Sequence, residues 1–169
     1  MKPTLKSLLA VALLFTALSC TKDDGYVDTL TESDLTQCPA NSNCQYLYAE
    51  NADFSGEYGT LSKGSYRVFS NEVRTSYMTS LVSLKAPMKG DTFFIDNSAI
   101  QKGVVNFDYS CPACNYAAPN YKVTGGYSKG KKLNTSGNEK WLVETKLFYA
   151  SGTDFKDTIY VKQYYYPKP

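Results

Sequence analysis

The chain has 169 residues, a formal net charge of +2, 15 tyrosines, 8 phenylalanines and no histidine. The missing histidine excludes Ser-His-Asp and Cys-His nucleophile machinery and every histidine-ligated metal centre. Arg67 and Arg74, the two arginines, are too few for a phosphate-binding stripe, so nucleic acid is not an expected partner.

Residues 1–19 read as an address. Lys2 and Lys6 form a positive n-region, Leu8 to Phe15 is an unbroken apolar run, and Thr16-Ala17-Leu18-Ser19 ends in small residues before Cys20. Such a run suits a cleaved secretory signal and is too short for a transmembrane helix. Ala17-Leu18-Ser19-Cys20 resembles a lipobox, with Ala17 where the commonest pattern has leucine. Thr21-Lys22-Asp23-Asp24 resembles the export signal of Bacteroidota surface lipoproteins. The resemblance covers residues 1–24. It implies cleavage before Cys20, a diacylglycerol-type lipid (palmitate) on its thiol, and display on the outer membrane facing the surface, or otherwise the periplasm. Two or more acyl chains make such anchoring stable, at about 0.8 kcal/mol per buried methylene.

Without Lys2 and Lys6 the remaining chain is formally neutral, but unevenly so. Residues 20–57 hold eight acids against Lys22, and the rest holds 15 bases against 8 acids. Lysine spread over more than a hundred residues is ordinarily a solvated face, although it suits an anionic polysaccharide too. Residues 20–37 are acidic and poor in apolar side chains, and read as a flexible tether. A single domain of ordinary size is expected over 38–169.

From Cys38 onward strand patterns follow one another between glycine-bearing turns. Gln45–Ala49 and Ser65–Phe69 come first, then a long Val73–Ala86 stretch, Thr92–Ile95 and Gly103–Tyr109. Tyr121–Tyr127, Glu139–Ala150 and Asp157–Tyr166 predict an antiparallel meander. Trp141, Val143, Thr145, Leu147 and Tyr149 share one face of its middle strand, and Glu144 and Lys146 the other. In the last strand Ile159, Val161 and Tyr165 oppose Tyr160, Lys162 and Tyr164. Period-two alternation implies one buried and one wet face. The expected fold is all-β, an antiparallel sandwich or compact barrel of about seven or eight strands.

Beyond Cys20, four cysteines admit three readings. Cys38, Cys44, Cys111 and Cys114 are an even set in a chain bound for an oxidising compartment, which favours disulfides, either local (38–44, 111–114) or cross-linked between the two loops. Cys111-Pro112-Ala113-Cys114 also has the C-x-x-C form of thiol–disulfide exchange. Four thiolates would suit zinc, but Cys38-x5-Cys44 is too wide for a usual knuckle. Asp91, Asp96, Asp108 and Glu144 are available for a glycosidase pair, though spacing shows no two converging. Gly125-Gly126 and Gly130 fit hairpin geometry better than a phosphate cradle. No catalytic residue, metal or cofactor is assigned.

Tyrosines carry the binding hint. Tyr164-Tyr165-Tyr166 must place rings on both faces of the last strand, and Tyr116, Tyr121 and Tyr127 follow the Cys111 loop. Rings with hydroxyl handles suit sugars and protein surfaces. The candidate ligand residues are therefore Tyr116, Tyr121, Tyr127, Tyr164 and Tyr166. The expected function is a lipid-anchored, non-enzymatic binding or interaction module for a glycan or protein. A redox protein using Cys111 and Cys114, or a structural envelope component, are the alternatives.

Overall fold

The computed structural model describes residues 27, 29–54, 58–112, 114, 121–135, 138–152 and 155–169. Residues 1–26, with Cys20, and Tyr116 lie outside the described residues. Nine strands are described: β1 (Asn43–Phe54), β2 (Leu61–Lys63), β3 (Tyr66–Arg74), β4 (Thr79–Pro87), β5 (Thr92–Ile95), β6 (Val105–Ser110), β7 (Lys122–Thr135), β8 (Asn138–Ser151) and β9 (Phe155–Pro167). A short helix, α1 (Asn97–Ala99), and a π-helical turn over Ile100–Val104 join β5 to β6.

The all-β class is as expected, but the architecture is a single open, mixed sheet. Its order is β5-β7-β8-β9-β1-β3-β4-β6, with β2 attached to β1. The C-terminal meander is β7-β8-β9, antiparallel throughout. The first and last long strands then run parallel, through Leu47–Tyr166 and Tyr48–Pro167. That pairing corrects the wholly antiparallel expectation. Alternation reports which face a side chain takes, and is silent on which strand lies alongside.

The long Val73–Ala86 stretch is in fact two strands and a tight turn. Thr75 makes that turn without glycine: its hydroxyl accepts from the Met78 amide at 3.0 Å, and its own amide donates to Met78 O at 2.8 Å. A threonine hydroxyl substituting for a backbone partner is a turn device that hydrophobic periodicity does not register.

The sheet curls so that its two halves share one core. Phe69 on β3 meets Phe93 on β5, Trp141 on β8 and Tyr165 on β9 at centroid distances of 5.2, 5.6 and 5.5 Å. Trp141, Val143, Thr145 and Leu147 are all buried on this inner face, as the alternation of β8 implies. Gly130 lets the curl tighten there. A Cβ at that position would lie 2.7 Å from Phe93 Cζ, so the ring rests directly on the β7 backbone. Gly126, expected in a hairpin, instead sits beside a bulge inside β7, where the register shifts between Val123 and Gly125. Its φ of +131° and its amide bond to Asn97 Oδ1 at 3.0 Å tie the bulge to α1.

The outer face of the meander is not the wet face expected. Glu144, Lys129 and Lys162 form a cross-strand row and are all buried. Lys129 Nζ stands 3.6 Å from the Glu144 carboxylate, and the Tyr127 hydroxyl donates to that carboxylate at 2.7 Å. The cover is the segment read as a tether. Val27 and Leu30 are buried, and Thr29 Oγ1 accepts from Lys129 Nζ at 3.2 Å. Thr36 then fastens to the edge of β9, its amide donating to Lys162 O and its hydroxyl accepting from the Lys162 amide, each at 2.9 Å. Two apolar residues spaced to meet a sheet are enough to dock a segment whose composition is otherwise polar.

Candidate functional site

The curled sheet is filled at one end and open at the other. Toward the filled end lie Phe69, Phe93, Trp141 and Arg67. Toward the open end β1 and β9 diverge after their short parallel pairing, and a cavity of about 450 Å³ opens between the two halves. That volume falls in the range of small-molecule sites.

Its walls are aromatic. Phe107 on β6 packs against Tyr149 on β8 and against Tyr121, which immediately precedes β7, at 5.1 and 5.4 Å. Tyr121 also meets Tyr109 and Tyr149, each at 5.5 Å. These four rings join β6 to the β7–β8 hairpin by side chains, since the two edges share no strand pairing. Tyr46 on β1 also lines the cavity, in one cross-strand row with Asn71, Val82 and Phe107, and lies edge-on to Tyr165 at 5.6 Å.

Val82, Val161 and Asn71 are the buried members of the lining and so form its floor. Asn71 sits between Tyr46 and Val82 in the β1–β3–β4 register. It is 6% exposed, and its Oδ1 is buried without a hydrogen-bond partner among the described residues.

Charge is missing from this site. None of the described lining residues is Lys, Arg, Asp or Glu. Burial raises the hydroxyl pKa of Tyr46 and of Tyr160; Glu144 and Asp34 add to the shift at Tyr160. Tyr149 is pushed up to about 12, first by burial and then by its 3.1 Å hydrogen bond to Asp157. These tyrosines therefore remain protonated and neutral across ordinary pH. A second hollow of about 450 Å³ lies at Phe148, Lys156 and Asp157, but none of its described lining residues is buried.

Both cysteine pairs brace the rim. Cys38 pairs with Cys44, with Cα atoms 5.8 Å apart, and Cys111 with Cys114, at 5.4 Å. The pairing is local, so the cross-link between loops does not form. Gln37 and Pro39 flank Cys38 and line the cavity, while Tyr109 lines it two residues before Cys111. Closing such short loops contributes about 2 kcal/mol each in the chain-entropy description.

Of the tyrosines singled out from sequence, Tyr121 lines the cavity and the other described ones do not join it. Tyr127 and Tyr164 belong to the outer face of the meander. Tyr164 donates to a Glu32 carboxylate oxygen and carries Lys140 Nζ 3.7 Å above its ring; Tyr166 is exposed. Asn71, Tyr46, Tyr109 and Tyr149 were not anticipated as a site. A signal for Asn71 was present: in β3 it shares parity with Phe69, which places a polar amide on the buried face. Three of the four acids weighed for a glycosidase pair are held in other roles. Asp96 caps α1 by accepting from the Ala99 amide at 2.8 Å, Asp108 accepts from Asn106 at 2.8 Å, and Glu144 bonds Tyr127.

The chain matches no protein-family model, and neither the curated proteins nor the solved structures contain a significant match to it. The functional reading therefore rests on the chemistry of this cavity.

Proposed function

We propose that the chain is an exported, lipid-anchored binding module that holds a small ligand in the cavity between Asn71 and the Phe107–Tyr121–Tyr149 wall. The observation that carries this reading is the cavity itself: about 450 Å³, aromatic-walled, open at one end and floored by a buried amide. A core meant solely for stability is packed to crystal-like density, with few voids larger than a water molecule. Retained apolar space of this size, with a convergent polar group, is the ordinary signature of a binding site. The two local cysteine pairs are in keeping with the oxidising compartment that the N-terminal sequence implies. The cavity favours a small molecule over the glycan or protein surface expected from the tyrosine count, because its rings face inward.

The test is titration of the domain with N-phenyl-α-naphthylamine, a neutral dye that brightens on leaving water. Saturable binding to one site is expected, and Ser80→Trp, which fills the cavity from β4, should abolish it while the far-ultraviolet circular dichroism is kept. Absence of saturable brightening in the parent domain, or undiminished binding by a folded Ser80→Trp variant, would remove the proposal.

A further inference from the structure

We infer that the outer face of the β7–β8–β9 meander docks on a bilayer surface rich in anionic lipid, through the strand ends that carry Lys122, Lys146, Phe148, Lys156 and Tyr160. The inference rests on the lipid-anchored part of the proposed function and concerns the outer face, not the ligand of the cavity.

Strand register sorts the charges of the meander by face. Lys129, Glu144 and Lys162 form the middle row of the outer face, beneath the docked segment of Leu30 and Thr36. Further along the strands come the rows Tyr127–Lys146–Tyr160, Gly125–Phe148–Thr158 and Lys122–Ala150–Lys156. Among the described residues of these three strands, Glu144 is the one acid on that face, and Lys129 and Tyr127 already hold its carboxylate. Asp157, at the same strand end, has the opposite parity and accepts from the Tyr149 hydroxyl. The acids of the docked segment lie toward β9: Glu32 accepts from Tyr164, and Asp34 is close enough to Tyr160 to raise its pKa. Lys122, Lys146 and Lys156 form no ion pair among the described residues. Three uncompensated ammonium groups therefore gather at one end of one face.

Aromatic rings stand among these cations. Phe148 is 44% exposed and Tyr160 46% exposed, and Lys146 Nζ lies 5.7 Å from the Phe148 ring centre. Exposed rings flanked by lysine are the composition of a membrane interface, where rings settle at headgroup level and ammonium groups meet phosphates. A pleated strand surface also offers a broad, shallow contact, which suits a bilayer better than a small molecule.

The position of the anchor adds an independent argument. Val27 is buried and follows Cys20 by seven residues. Seven residues reach at most about 25 Å, so a lipid on Cys20 keeps the point where the chain joins this face within that distance of the headgroups. Tethering raises the local concentration of the face at the surface, and a modest attraction then suffices. Three lysines near an anionic leaflet favour contact by on the order of a hundredfold. An acidic polysaccharide shares the charge but gains nothing from this placement of the anchor.

The experiment uses the chain from residue 20 onward with Cys20→Ser, which keeps every described residue and removes the acyl group. Its cosedimentation is measured with vesicles of phosphatidylcholine alone and of one part phosphatidylglycerol to two parts phosphatidylcholine. Binding to the anionic vesicles should exceed binding to the neutral ones by on the order of a hundredfold and weaken steeply as salt is raised. Lys122→Glu, Lys146→Glu and Lys156→Glu combined should abolish the difference. Lys63→Glu, Lys102→Glu and Lys168→Glu, the same change of charge at exposed positions elsewhere, should leave it in place. The emission of a Phe148→Trp variant should shift to the blue on the anionic vesicles alone. Equal binding to both vesicles by the parent chain, or equal losses in the two triple variants, overturns the proposal, and the parent comparison decides even if a variant fails to fold. Binding to polygalacturonate without binding to anionic vesicles overturns it in favour of an acidic polysaccharide. Palmitate labelling of the chain in the cells that export it reads the anchor separately, and absence of label overturns the anchored reading.

Discussion

The guanidinium carbon of Arg67 lies 4.2 Å from the ring centre of Trp141, and this stack closes the end of the interior opposite the cavity. Arg67 is anchored there by Glu50, to which Nε and Nη2 donate at 3.0 and 2.9 Å, and by the carbonyls of Pro87 and Met88 at 3.3 and 3.2 Å. A cation sits in the core because every face of it is used: the fork satisfies backbone oxygens, and the plane covers an indole.

Replacing Arg67 with Met keeps bulk but loses the stack and the carbonyl bonds. The expected cost is about 2 kcal/mol, seen as a melting temperature lower by about 4–8 °C. Glu50→Gln should cost far less, since that carboxylate is 42% exposed and an exposed pair contributes little. Thermal unfolding followed by circular dichroism separates the two, and equal losses would show that the ion pair matters more than the stack.

The segment over the meander should detach independently of the core. Leu30 is fully buried, so Leu30→Asp places an unpaired charge on the outer face of the sheet. Hydrogen exchange should then quicken at the Lys162 amide, whose acceptor is Thr36 Oγ1, by roughly tenfold or more. The Val143 amide, in the middle of the meander, should be little changed. Equal acceleration at both would mean that the segment and the core open as one unit.

Alkaline pH should unfold this domain ahead of its chemistry elsewhere. Burial drives the Tyr165 hydroxyl well above its ordinary value, with nearby Tyr46 adding to the shift. Tyr149 stands at about 12, through burial and then its bond to Asp157; Tyr164 also stands at about 12, chiefly through its hydrogen bond to Glu32. An unfolded tyrosine loses its proton near pH 10. Below that value both states are protonated and stability is flat with respect to these groups. Above it the unfolded chain binds fewer protons than the fold, so stability falls until each folded value is passed. Urea midpoints should therefore hold from pH 7 to pH 9 and decline between pH 10 and about 12. Tyr165→Phe should reduce the slope of that decline by roughly one proton. An unaltered slope in that variant would exclude Tyr165 as a contributor.

Much of the fold was legible because strand formation leaves a local trace. Val161 and Tyr165 turn inward, as do Trp141, Val143 and Leu147, because a pleated backbone sends alternate side chains to opposite faces whatever lies beside it. The even cysteine count likewise pointed to disulfides. What the chain could not display locally is adjacency. The parallel β1–β9 pairing joins residues more than a hundred positions apart, and that pairing, ending where it does, opens the cavity. The docking of Leu30 and Thr36 depended on a sheet assembled from residues far downstream, so an acidic segment that looks like a tether in isolation finds its partners only in three dimensions. Sequence alone determined that this chain makes strands, turns alternate side chains of β8 and β9 inward and lacks histidine chemistry. Tertiary structure decided that the Asn71 amide oxygen is buried without a partner among the described residues and that Tyr121 and Tyr149 come to rest against Phe107, because both depend on which strands become neighbours.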